Sequence, residues 1–187
     1  MVCLGYWSRS SASKNDLIVV LRDGLIEQVG APDELWARPA TSFVAGFVGD
    51  PPMSLLRVRL EREAGTLTLR VGATQLQPGE QLARLLDDFR DQHVEIALPA
   101  KDISLGNAGD LQSVSARVQA HEWVGRELQI VVTVDGSLVR LRTQQRLDLR
   151  IGDEVTIRLN LKRAHVFDPK TGRTLRSSTD KQALDIA

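Results

Sequence analysis

The chain has 187 residues, of which 42% are hydrophobic and 26% charged, and its 24 Lys plus Arg balance 24 Asp plus Glu. That is the composition of an ordinary soluble globular protein, long enough for one generous domain or two small ones. The neutral balance argues against the strongly basic nucleic-acid binders, the single Cys3 excludes an internal disulfide, and no apolar run approaches the roughly 20 residues that cross a bilayer.

Residues 1–15, "MVCLGYWSRSSASKN", are small and polar without periodicity and read as a loose arm. They lack the basic and apolar regions of a secretory signal, so a cytosolic protein is expected. "LIVVLRDGLIEQVG" then places two apolar runs around Asp23-Gly24, a pair that supplies the positive backbone angles of a tight type I′ hairpin. "APDELWARP" predicts a short helix, with Pro32 in its first turn, Asp33 and Glu34 at its positive end and Pro39 as its stop. "TSFVAGFVGDPP" predicts a second, capped by Thr41 or Ser42, with Phe43, Phe47, Val44 and Val48 on one face.

Past Pro52 the pattern changes to alternating strands. Leu56, Val58 and Leu60 share one face, and Leu67, Leu69 and Val71 follow a turn near Gly65. "GEQLARLLDDFR" interrupts with a helix whose stripe is Leu82, Leu85, Leu86 and Phe89. Strands are then predicted in "HVEIALP", "SVSARVQAHEWVG", "RELQIVVTVDG", "SLVRLRT" and "DEVTIRLNLK". In the last, Val155, Ile157, Leu159 and Leu161 alternate with polar residues. Asp135-Gly136 marks another tight hairpin, "FDPKTG" a turn, and "RTLRSSTDKQALDIA" a polar tail expected to be disordered. Many short strands with one helix suggest a small barrel of the oligonucleotide/oligosaccharide-binding (OB) type, with an unspecific β-sandwich as the alternative.

"IVVLRDGLIEQVGAPDELWARPATSFVAGFVGDPPMSLL" resembles the end of the ATPase domain in sugar-type ABC importers. Ile18 to Gly30 match the family's hairpin. Pro32, Glu34, Leu35, Pro39 and Ala40 match the element that follows. Phe43, Val44, Ala45, Phe47, Gly49, Pro52, Met53, Leu55 and Leu56 match the segment that leaves the domain. Trp36, Ser42, Val48 and Ser54 stand where tyrosine, asparagine, isoleucine and asparagine are usual. "VEIALPAKDISL", "VQAHEWVGRELQIVV" and "LKRAHVFDPKTGRTL" are similar to strands of the family's regulatory region. Pro99, Ala100 and Lys101 there replace Arg-Pro-Glu.

The resemblance implies a mainly β chain with four parts. Residues 1–15 are a divergent arm and 16–50 a hairpin and two short helices left from an ABC ATPase domain. Residues 51–172 are an OB-like (TOBE/MOP-like) barrel of regulatory type, and 173–187 a flexible tail. The family's cofactors are ATP and Mg. This chain contains no Gly-Lys pair and so no G-x-x-x-x-G-K-[S/T] phosphate cradle. It also lacks a Leu-Ser-Gly-Gly-Gln type signature, and Asp33-Glu34 and Asp153-Glu154 follow proline and glycine rather than a buried strand. The expectation is a non-hydrolysing C-terminal fragment or truncated homologue. Its residues 1–15 would then be foreign sequence from a frameshift, a misplaced start, a rearranged gene or an added leader.

No catalytic, cofactor-binding or metal-ligating residue emerges. His93, His121 and His165 have no metal-ligand spacing and are expected in structural or surface roles. Asp87 and Asp88 are expected to be solvated at a helix end, Trp123 to pack in the core, and Arg140, Arg142 and Arg146 to line an exposed strand face rather than hold an anion. The resemblance implies a homodimer, ABC permease partners and a cytoplasmic place beside the membrane when assembled. Two other functions stand beside it. One is a TOBE domain that senses a small oxyanion. The other is a nucleic-acid-binding OB fold, which 4% aromatic content supports poorly.

Overall fold

The computed structural model describes residues 17–63, 65–87, 89 and 92–175. The expected arm, Asp88 and residues 176–187 of the expected tail lie outside the described residues. Strands β1 (Ile18–Arg22) and β2 (Leu25–Gly30) form the predicted hairpin, with Arg22 opposite Leu25. Asp23 and Gly24 take φ of 51° and 81°, the left-handed pair that a type I′ turn requires. Helix α1 (Pro32–Ala37) starts on its proline. Helix α2 (Ser42–Phe47) is capped by Thr41, whose Oγ1 accepts from the Val44 amide at 3.3 Å, and Phe43 stacks on Phe47 with centroids 5.7 Å apart.

The remaining described strands form two five-stranded sheets. One holds β3 (Ser54–Glu63), β4 (Thr66–Val71), β5 (Thr74–Leu76), β6 (His93–Leu98) and β12 (His165–Phe167), in the order β12-β6-β3-β4-β5. Helix α3 (Glu80–Asp87) bridges β5 and β6 in the chain and buries Leu82 and Leu86, while Leu85 and Phe89 pack partly against the same core. Arg62 closes the helix's C-terminal end by donating to the Leu86 and Phe89 carbonyls at 2.7 and 2.9 Å. The other sheet holds β7 (Ile103–Leu105), β8 (Ser113–Val124), β9 (Glu127–Val134), β10 (Ser137–Thr143) and β11 (Glu154–Leu159), in the order β10-β9-β8-β11-β7.

The fold is mainly β with a curled, barrel-like second sheet, whose edge strands β10 and β7 approach each other. Both sheets turn their apolar faces to one core. Leu56, Val58, Leu69 and Ile96 of the first meet Val118, Ile130, Val132, Leu141 and Ile157 of the second. The Arg140 amide donates to the buried Ser54 hydroxyl at 2.9 Å and ties β10 to the start of β3.

Three local differences from the sequence reading have physical causes. Strand β5 was not expected, because Gly72-Ala73 is a weaker hairpin signal than Asp-Gly, yet Val71 pairs with Thr74. Leu161 is buried as the alternation requires, but β11 ends at Leu159 and Leu161 begins a 3-10 turn. Asn160 makes that break by bonding Asp102 twice, backbone to backbone at 2.9 Å and side chain to side chain at 3.0 Å. The third difference lies at the expected start of the tail. Residues 173–175 are bonded into the fold, with the Thr174 amide on the Ala40 carbonyl at 3.0 Å and the Leu175 amide on the Val166 carbonyl at 2.7 Å.

Candidate functional site

The hairpin and its helices are fastened to the β body on three sides. Ala45 of α2 and Met53 pack with Ala97 and Phe167, and Trp36 and Leu55 close over them. Lys101, from the 3-10 turn Ala100–Asp102, sets its Nζ 4.2 Å from the Trp36 ring centroid. The returning chain straps the joint from outside. The Ser42 amide donates to the Gly172 carbonyl at 2.8 Å, and the Thr174 hydroxyl donates to the Pro39 carbonyl. Arg142 adds ion pairs to Asp50 at 3.6 Å and Glu127 at 3.7 Å. The joint is thus made of a small apolar core, a cation–π contact and backbone bonds.

The hairpin itself has two unlike faces. Val20 turns inward onto Leu35, Val44 and Val48. Strand alternation sends Leu17, Val19 and Leu21 the other way, and the pairs Val19–Val29 and Leu21–Ile26 complete an apolar face. All five are exposed, from 43% for Leu21 to 74% for Leu17. The run "LIVVL" is apolar at every position, the pattern of a strand covered on both sides, and here only one side is covered. Together they make a contiguous exposed aliphatic face, the kind of surface at which proteins associate.

The residues singled out in the sequence fall elsewhere. His93, His121 and His165 sit on β6, β8 and β12, and the described residues contain no group of three His, Cys, Asp or Glu able to hold a metal. Burial holds the His165 imidazole below its usual pKa, Arg163 adds to this, and Asp102 partly opposes it. Asp87 is exposed. Arg140 and Arg142 share the outer face of β10, half-buried, and Arg142 is committed to its two carboxylates; Arg146 lies exposed in the following loop. Trp123 corrects an expectation. It is 50% exposed rather than packed in the core. Strand β11 pairs β8 only as far as Arg117, and past a register shift at Gln119 residues Ala120 to Val124 pair with β9 alone. Sequence reasoning passed over the outward hairpin face, although the uninterrupted apolar run was the signal for it.

Residues 90–167 match the family model described as the TOBE domain. The chain is 35% identical, over 84% of its length, to the uncharacterized ABC transporter ATP-binding protein y4oS of Sinorhizobium fredii, and covers 40% of that protein. It is 28% identical, over 82% of its length, to the oligosaccharides import ATP-binding protein MsmX of Bacillus subtilis, and covers 43% of it. The chain thus spans about two fifths of the length of the curated relatives it matches. Among solved structures, the cytoplasmic molybdate-binding protein ModG with molybdate bound aligns at a TM-score of 0.47 and 13% identity, over 62% of this chain and 95% of that one.

Proposed function

We propose a regulatory and dimerising role for this chain, which carries TOBE-domain sequence and is similar to ABC transporter ATP-binding proteins. In this reading it is the C-terminal portion of an importer's ATP-binding subunit, serving uptake of a sugar or related solute, as the name of MsmX suggests. It works at the cytoplasmic side of the membrane, beside permease subunits. It does not hydrolyse ATP by itself, in keeping with a sequence that offers no lysine after glycine to neutralise a nucleotide's phosphates.

The observation that carries the reading is the outward face of Leu17, Val19, Leu21, Ile26 and Val29 on an element bolted to the barrel. An ATPase domain docked there would be joined to the barrel without slack. The barrel would then follow its movement, and a barrel held by a second copy would hold the ATPase domains in register. The test is capture of this chain by immobilised ATPase domain from a relative such as MsmX, cut back before its own counterpart of this hairpin so that the face it would fill is open. The unmodified chain should be retained, while Val19→Asp and Ile26→Asp should pass through with unchanged melting temperature, because both positions are already exposed. Equal retention of all three would remove the docking face from the proposal.

A further inference from the structure

The outer face of the first sheet changes character along its strands. At one end Leu55, Ala97 and Phe167 lie beneath α2 and Trp36. Beyond the helix the same face is polar: Arg57 stands opposite Glu95 in register, and Arg59 opposite His93. The Asp168–Gly172 turn forms a wall, held by the Asp168 carboxylate, which accepts from the Lys170 amide at 2.8 Å and the Thr171 hydroxyl at 3.0 Å. Between them is a cleft of about 490 Å³ lined by Arg57, Gln92, His93, Glu95, Pro169 and Lys170. That volume falls in the range of roughly 300–1,000 Å³ typical of small-molecule sites.

The cleft carries charges of both signs, and two of them are unpaired among the described residues. Further along the face Glu61 is taken up by Arg70 at 2.6 Å, Gln75 at 3.0 Å and Arg59 at 4.0 Å, and the Arg70 bond chiefly holds its carboxyl below the usual range. Arg57 is exposed and makes no ion pair with any described residue, and neither does Glu95, although the two are register partners. Around the cleft, the Arg57 guanidinium and the Glu95 carboxylate thus lack ion-pair partners among the described residues, while the Lys170 ammonium also acts on the Asp168 carboxylate of the wall, adding to the Lys170 amide bond that chiefly holds it below its usual range. A bare inorganic anion would be drawn by Arg57 and Lys170 but repelled by Glu95. A molecule with an anionic end and hydroxyl groups suits both, since a carboxylate accepts two hydroxyl hydrogens and an arginine fork donates two parallel bonds to phosphate or carboxylate.

We propose that this cleft binds a small hydroxylated anion of the sugar-phosphate class, with the phosphate on Arg57 and Lys170 and the hydroxyls on Glu95 and Gln92. It would be an effector site on the barrel, set apart from the hairpin's docking face and sharing no residue with it. Calorimetric titration of the full chain with glucose 6-phosphate, inorganic phosphate and glucose tests this. Glucose 6-phosphate should saturate the chain, with phosphate and glucose each at least about tenfold weaker, and Arg57→Gln should weaken it by about tenfold or more through loss of a charge-assisted fork. Glu95→Gln should bring inorganic phosphate closer to glucose 6-phosphate in affinity. No binding at millimolar ligand, equal binding of phosphate and glucose 6-phosphate, or an Arg57→Gln titration matching the unmodified chain would each overturn the assignment. None of these would disturb the hairpin capture result.

Discussion

Lys101 and Trp36 both depart from the sequence pattern that the chain resembles, and they meet in the fold, Nζ 4.2 Å from the ring centroid. A half-exposed contact of this kind contributes about 0.5–1 kcal/mol. Nothing local in either segment announces the pairing, because each residue sits in a turn or helix that forms without the other. His165 carries the clearest pH consequence. Its folded pKa is lowered by burial and then by Arg163, so the folded chain prefers the neutral ring. Its contribution to stability is full above roughly pH 6.5, the ordinary value, and falls as pH drops from there towards the lowered folded value. His165→Gln should flatten that stretch of the urea-midpoint-against-pH curve; an unchanged slope would show that the ring's burial carries no linkage. Trp123 shows the limit of alternation at this scale. The pattern gives the side a residue points to, but whether anything covers that side depends on how far β11 runs alongside.

Hairpins were the most legible elements, because Asp-Gly states both the turn type and the register. Asp135 and Gly136 take φ of 46° and 79°, with Val134 opposite Ser137. A Cβ at Gly136 would meet no atom within 4 Å, so Gly136→Ala tests backbone strain alone. The expected cost is about 1 kcal/mol, read as a fall of about 2–4 °C in melting temperature for a chain of this size. A variant as stable as the parent would mean that the turn tolerates another geometry. The short helices were legible from Pro32, Thr41 and the Phe43–Phe47 spacing. Strand β5 and the early end of β11 were not, since one depends on a partner strand and the other on Asp102 reaching Asn160 across the fold.

At the scale of the whole molecule, the two sheets share one core, and the hairpin unit is packed onto it through a second, smaller cluster. The proposed role requires self-association through the β body. Sedimentation at high micromolar concentration should show a dimer, and a strict monomer would remove the dimerising role. Incubation with ATP and Mg should release phosphate no faster than buffer; turnover above that would overturn the non-hydrolysing reading.

The sequence by itself determined the class of fold, the hairpin, the helices and most of the strands, and it carried the resemblance to ABC importer subunits. Those features rest on residues close together along the chain: an Asp-Gly turn, a cap, a two-residue alternation. Only the tertiary structure decided that Lys101 reaches Trp36, that the segment after Gly172 straps the joint, and that Arg57, Glu95 and Lys170 surround one cleft. It also decided which face of "LIVVL" is left bare. Each of these depends on distant segments being brought together, and that placement is set by the closure of both sheets on a common core rather than by any local preference.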